Sequence, residues 1–281
     1  MAVKKILVVG NETLGGSKLV ELIRAKRAEG EVALTLVVPQ TRPRHGAVIY
    51  DEVVRDAAQV RVDLAQQFMK AEGASIEGEV GDPDPYTAAM DAIGFYRPDE
   101  VIVSTLPQTA SGWLRRDLVE RIEQSSGLPV EHVVTDLESE GLPFDVTLVL
   151  ANQTIGEPSL LETLKAKALG EGEHLFIIVV PQAHGGGHAA VDARHALHQG
   201  LRSFRSAGLL VAGMIGPPDP YDAAMNAMQS FRFTDVIVST LEPLQSGWLR
   251  QHIVERIREA TGKDVTHVIA GQDLEIESGA T

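Results

Sequence analysis

Gly81-Asp82-Pro83-Asp84-Pro85-Tyr86 and Gly216-Pro217-Pro218-Asp219-Pro220-Tyr221 open two stretches, residues 81–122 and 216–257, that align without a gap and are identical at 25 of 42 positions. Within them Val101-Ile102-Val103-Ser104-Thr105-Leu106 recurs as residues 236–241, and Ser111-Gly112-Trp113-Leu114-Arg115 as residues 246–250. Working outward, Val37-Val38-Pro39-Gln40 recurs as Val179-Val180-Pro181-Gln182, and Asn11-Glu12-Thr13 pairs with Asn152-Gln153-Thr154. The repeat is a whole domain of about 140 residues, far longer than the roughly 20–50 residues of a solenoid unit. Between Gln182 and Gly216 the second copy is seven residues shorter than the first is between Gln40 and Gly81.

Within a copy, short β-branched runs alternate with helical periodicity. Strands are predicted over 6–9, 33–38, 75–80, 101–104 and 130–134, and helices over about 15–29, 46–72, 84–96 and 111–125. Pro83 and Pro85 mark one helix start, Ser111 is the expected N-cap of another, and Gly127 with Pro129 marks a helix end. Strands separated by helices cross over and pair in parallel, so each copy is expected to be a doubly wound five-stranded α/β sheet. The expected layout is copy 1 over 1–138, copy 2 over 145–270 and a frayed tail over 271–281. The acidic, turn-rich run Asp136-Leu137-Glu138-Ser139-Glu140-Gly141-Leu142-Pro143 forms the join.

Length agrees with two domains: 281 residues at roughly 150 per domain. The formal charge of −14 is shared, −8 over residues 1–140 and −6 over 141–281. An acidic excess in both halves argues against broad electrostatic binding to nucleic acid or anionic membrane, and leaves room for a small local anion pocket. The absence of cysteine excludes disulfides, thiolate metal sites and cysteine nucleophiles. The apolar run after Lys5 is too short for a signal-peptide core or a membrane span, which leads to the expectation of a cytoplasmic protein.

In an open parallel sheet, ligands bind beyond the carboxyl ends of the strands, where the strand order reverses. With five strands that crevice lies between the first and fourth. The candidate site is Asn11, Thr13, Gly81, Ser104, Thr105, Ser111 and Gly112 in copy 1, and Asn152, Thr154, Gly216, Ser239, Thr240, Ser246 and Gly247 in copy 2. Short polar side chains leave space there, and the N–H groups of a helix start favour a small anionic ligand. Trp113 and Trp248, the chain's two tryptophans, and Arg115 and Arg250 stand at that helix start. Each Trp either packs there or stacks on a ligand ring. Each Arg either pairs with an acidic neighbour or captures an anion.

No catalytic signature accompanies the crevice. The chain lacks G-x-S-x-G, G-x-x-x-x-G-K-[ST] and a G-x-G-x-x-G after a strand. No base adjoins Ser104-Thr105 in sequence. His184-Gly185-Gly186-Gly187-His188, with His195 and His198, has metal-ligand residue types, but three glycines would lose entropy on closing round an ion. That segment is expected to be a mobile connection with no metal. His132 and His267, in the fifth strands, are explained by strand alternation.

The order of elements, Gly81-Asp82-Pro83 at the end of strand three, the Val-Ile-Val fourth strand before a Ser-Gly helix start, and Leu128-Pro129-Val130 entering strand five together resemble the universal stress protein superfamily. The tandem layout is similar to its two-domain members. Nucleotide-binding members carry a Gly-x2-Gly-x9-Gly-[ST] loop after strand four, and both copies here lack its first two glycines. The family's Asp after strand one is replaced by Asn11 and Asn152. The resemblance implies a Rossmann-like fold, with Gly81 and Gly216 at close approaches. It also implies pairing of the fifth strands, residues 130–134 with 265–269, within the chain, and dimerisation of the whole chain as a homo-oligomer. The function it implies is a non-catalytic, stress-associated regulatory or small-ligand-binding protein. The alternatives are an adenine-nucleotide-binding protein with slow or no ATP hydrolysis, and a soluble partner domain of a transporter or larger assembly.

Overall fold

Strands that are apolar on both faces require helices on both faces, and the computed structural model shows them. It describes residues 3–40, 51–71, 73–74, 76–107, 117–170, 172–183, 187–242, 248 and 252–271. The first half runs β1 (Lys4–Val9), α1 (Ser17–Glu29), β2 (Val32–Pro39), α2 (Asp51–Ala71), β3 (Ile76–Gly81), α3 (Pro85–Tyr96), β4 (Glu100–Thr105), α4 (Leu118–Ser126) and β5 (Val130–Val134). The second runs β6 (Asp145–Leu150), α5 (Pro158–Ala168), β7 (His174–Pro181), α6 (Gly187–Ser206), β8 (Leu210–Gly216), α7 (Pro220–Ser230), β9 (Asp235–Thr240), α8 (Ile253–Thr261) and β10 (Val265–Ile269). The chain divides into two units, Met1–Pro143 and Phe144–Thr281.

Each unit holds one all-parallel sheet, ordered β3-β2-β1-β4-β5 in the first and β8-β7-β6-β9-β10 in the second. The order reverses between β1 and β4, where Val9 stands opposite Val37 on one side and Val103 on the other. Val101, Ile102 and Val103 are sealed from solvent on both faces, as are Val236, Ile237 and Val238. Within the sheets β5 hydrogen-bonds to β4 and β10 to β9.

The repeated Pro-Asp-Pro-Tyr run has a local structural reason. Asp84 caps α3, its carboxylate accepting from Thr87 N–H at 3.1 Å, and Asp219 caps α7 by accepting from Tyr221 and Asp222 N–H at 2.8 and 3.1 Å. Pro85 and Pro220 fill the first helical position, where no N–H is needed. Each helix then lays small residues on the sheet, Ala88, Ala89 and Ala92 in α3 and Ala223, Ala224 and Ala227 in α7.

Helix α4 runs from Leu118 with Asp117 at its N-cap, and α8 runs the same way after His252; the expected N-cap Ser111 lies outside the described residues. Asp117 and His252 both hold left-handed backbone, φ 48° and 51°. The segment around His188 is helical from Gly187 rather than a mobile connection, because Ala193, Leu197, Leu201 and Phe204 form a buried stripe against the sheet. His184 and the tail beyond 271 lie outside the described residues.

Candidate functional site

The loops after β1 and β6 follow the same hydrogen-bonded path. Leu14 N–H bonds to Asn11 C=O and Gly16 N–H to Thr13 C=O; Ile155 and Glu157 repeat this on Asn152 and Thr154. Both loops thus turn their short polar residues toward the carboxyl end of the sheet. In the first unit Asn11, Thr13 and Ser104 are buried there. Asn11 Nδ2 donates to Pro39 C=O at 3.1 Å, tying the loop to the end of β2. Its Oδ1, together with Thr13 Oγ1, Ser104 Oγ and Thr135 Oγ1, makes no hydrogen bond within the protein.

The second unit satisfies part of this set. Thr154, the counterpart of Thr13, donates to Ser239 C=O at 3.1 Å, while Ser239 Oγ remains without a partner. A buried polar atom left unpaired costs about 1–3 kcal/mol, so several together at the strand-order reversal are a feature to explain.

Ser104 and Thr105, expected to act together, face opposite sides of the sheet, as successive strand residues do. Thr105 Oγ1 shares a hydrogen bond of 2.8 Å with His132 Nε2, and Thr240 Oγ1 one of 2.8 Å with His267 Nε2. Both imidazoles sit below their ordinary pKa because burial disfavours the charged ring. A neutral ring either accepts the threonine proton or donates its own. Strand alternation does not account for this pairing. The clue in the sequence is the recurring 27-residue spacing from Thr to His, which gains meaning once β4 is known to pair with β5.

Gly81 and Gly216 do make close approaches, to a helix. A β-carbon on Gly81 would stand 2.7 Å from Ala88 Cβ and 2.8 Å from Val37 Cγ1, and one on Gly216 2.6 Å from Ala223 Cβ. Their carbonyls accept from Gln40 Nε2 and Gln182 N–H, closing the turns after β2 and β7. Ser111, Gly112, Ser246 and Gly247 lie outside the described residues, as do Trp113, Arg115 and Arg250; Trp248 is half-buried in a turn.

A cleft of about 770 Å³ opens in the second unit between the loop after β6 and helix α6. Asn152 and Gln153 line it from the loop, and Asp192, Ala196, Gln199 and Ser203 from the helix. Among the candidate residues of copy 2, Asn152 is the one on its wall. Apart from Asn152, sequence reasoning did not select these positions, since the two copies have little identity over α2 and α6. Among the described residues no group of three or more His, Cys, Asp or Glu is placed to hold a metal ion, and no helix is long and apolar enough to cross a membrane.

These features define a tandem pair of doubly wound α/β units, each with buried polar side chains at its strand-order reversal. This is the doubly wound, five-stranded α/β class expected from the sequence, present twice. The chain is similar to the structure of a universal stress protein from Archaeoglobus fulgidus, at 17% identity and a TM-score of 0.35, covering 96% of this chain and 97% of that one. It is also similar to a protein of unknown function from Pseudomonas aeruginosa, at 16% identity and a TM-score of 0.31, covering 96% and 93%. No protein-family model and no curated protein matches the chain.

Proposed function

We propose that the protein is a non-catalytic, stress-associated regulator that binds a small polar ligand in the crevice of its first unit, with a partly closed copy in the second. The observation that carries this reading is the set of buried oxygens without partners, Asn11 Oδ1, Thr13 Oγ1 and Ser104 Oγ, at the carboxyl ends of β1 and β4. A ligand offering a hydroxyl or amide would complete their hydrogen bonds. The non-catalytic part is supported by Thr105 and Thr240. Each is within reach of a neutral histidine, but each pair faces the side of the sheet opposite to Ser104 or Ser239, away from a ligand bound at those serines. The stress-associated part follows the family resemblance.

Native mass spectrometry of protein purified without added ligand tests the proposal, alongside calorimetric titration with AMP, ADP and ATP. The expected result is a small molecule retained by the wild type and lost from Ser104→Ala, with circular dichroism unchanged. Retention by that variant would place the ligand elsewhere. Micromolar ATP binding lost with Ser104→Ala would identify the ligand as an adenine nucleotide.

A further inference from the structure

Helices α2 and α6 can be compared residue by residue. Counting back from Gly81 and Gly216, an offset of 135 brings the last residue of α2, Ala71, onto the last residue of α6, Ser206. It also lays Ala58, Val62 and Met69 onto Ala193, Leu197 and Phe204, all of them buried. In this register Arg61 falls on Ala196 and Ala57 on Asp192. The loops add a matching exchange, Glu12 in the first unit for Gln153 in the second.

In the first unit Arg61 is desolvated, which pulls its guanidinium down to about 10, and the Glu12 carboxylate opposes that fall. The first unit therefore places a cationic side chain and a compensating anion where helix meets loop. In the second unit the guanidinium is gone at Ala196, the loop carboxylate is gone at Gln153, and the cleft of about 770 Å³ lies there. One carboxylate has returned from the helix side. Asp192 is one turn before Ala196, and Gln199 and Ser203 continue the same helix face at three-to-four spacing. Asn152 and Gln153 supply amide oxygens from the opposite wall.

We propose that this cleft of the second unit binds a small guanidinium compound, whose cationic head takes the place that Arg61 holds in the first unit. A guanidinium presents five N–H donors in a planar fork and no acceptor. The cleft offers the matching set: Asp192 as counter-ion, and amide or hydroxyl oxygens of Asn152, Gln153, Gln199 and Ser203. The alanine wall of Ala189, Ala193 and Ala196 suits a short methylene stem. Among the described residues Asp192 is the one acidic or basic side chain in the lining, so the site selects a cation, and the net charge of −14 favours its approach. Of the crevice residues Asn152 alone is shared, so this site stands or falls separately from the strand-four crevice.

The test is calorimetric titration of the full chain with agmatine, and with 4-aminobutylurea, which keeps agmatine's ammonium and lacks its guanidinium charge. Agmatine is expected to saturate one site per chain, with 4-aminobutylurea weaker by about tenfold or more, the factor expected when the charge-assisted bonds to Asp192 are lost. Ala196→Arg, which supplies the first unit's side chain, should abolish binding. Asp192→Asn, which keeps the shape, should weaken it about tenfold or more and serves even if Ala196→Arg unfolds. Ser104→Ala should leave agmatine binding unchanged, and ATP should not compete. Absence of saturation up to about 10 mM agmatine, weaker than any specific site of this kind, would overturn the proposal. So would wild-type affinity in Asp192→Asn.

Discussion

His132 Nε2 lies 2.8 Å from the hydroxyl of Thr105, a residue whose strand partner is Val134, two positions further along β5. The same diagonal recurs between Thr240 and His267 at 2.8 Å and between Thr147 and His174 at 2.7 Å. In a parallel ladder this diagonal ties neighbouring strands through side chains as well as backbone. It also makes three histidines part of the sheet, and each has its pKa lowered by burial.

Stability is therefore expected to fall as the medium is acidified from pH 7.5 to 5.5. The folded rings titrate below the ordinary 6.5. The unfolded chain consequently takes up protons first, and the stabilisation present above 6.5 is lost as pH drops toward the folded values. Urea unfolding at the two pH values checks this. The double variant His132→Gln, His267→Gln should show a shallower dependence, and an unchanged slope would remove these rings as its cause.

At the opposite end of the first sheet, Glu100 receives Lys26 Nζ at 2.5 Å and also pairs with Lys4, while Lys26 reaches Glu131 at 2.8 Å. The second unit keeps the core of this arrangement as Lys167 and Asp235, 2.7 Å apart. Burial works to raise the Glu100 carboxyl, but hydrogen bonds from Lys26 and Lys4 together hold it below its ordinary value. Lys26 is raised chiefly by its hydrogen bond to Glu100. Lys26→Met should cost about 2 kcal/mol, less than the loss of a fully buried pair because Lys4 remains. The difference from wild type should hold steady from about pH 5 to 10. It should shrink in acid, as Glu100 is protonated, and in alkali above 10.5, where the unfolded chain gives up the Lys26 proton before the fold does. Denaturant unfolding across that range measures it.

Gly81→Ala should destabilise the first unit by about 1–3 kcal/mol, because the new methyl enters a space already filled by Ala88 and Val37. Gly216→Ala should do the same to the second against Ala223. Adding Ala88→Gly to Gly81→Ala should recover part of the loss, less the helix cost of a glycine, about 1 kcal/mol. No recovery in thermal melts would show that the contact is not the cause.

The fold was legible because runs such as Val101-Ile102-Val103 and Val236-Ile237-Val238 are too apolar for anything but two-sided burial, and because a whole-domain repeat states each element twice. The start of α4 at Leu118 was not, since the helical spacing of Leu118 and Ile122 continues back in the sequence to Leu114. The signal that could have placed it is Asp117 three residues before Glu120, the pattern of a helix start. Of the candidate residues, topology alone brings Asn11, Thr13 and Ser104 to the strand-order reversal, where they are buried. Thr105 was selected with them, although its side chain faces the other side of the sheet and is engaged by His132. The cleft on α6 was hidden, because the exchange of Arg61 for Ala196 appears only after the structure fixes the register of two dissimilar helices.

The unpaired oxygens of the first crevice permit a prediction in which stability and function move in opposite directions. If Thr13 Oγ1 and Ser104 Oγ serve only the fold, their lack of partners is a loss with no return, and removing them should leave every property unchanged or improved. If they are held for a ligand, Ser104→Ala and Thr13→Val remove a desolvated hydroxyl while keeping nearly the same volume. The ligand-free protein should then become more stable by about 1 kcal/mol per site, the lower end of the cost of an unsatisfied buried group. The gain should read as a rise of roughly 2–6 °C in the melting temperature of the first unit. The same variants should lose the small molecule that the wild type retains. Ser239→Ala should repeat the stabilisation in the second unit. Its effect on retention should be smaller, since Thr154 is already committed to the Ser239 carbonyl. Melting temperature and ligand retention measured on the same preparations separate the cases. Variants that melt higher and still retain the ligand would leave these oxygens without a role in binding. Variants that melt lower would show that the hydroxyls are satisfied by bound water, which is then part of the fold.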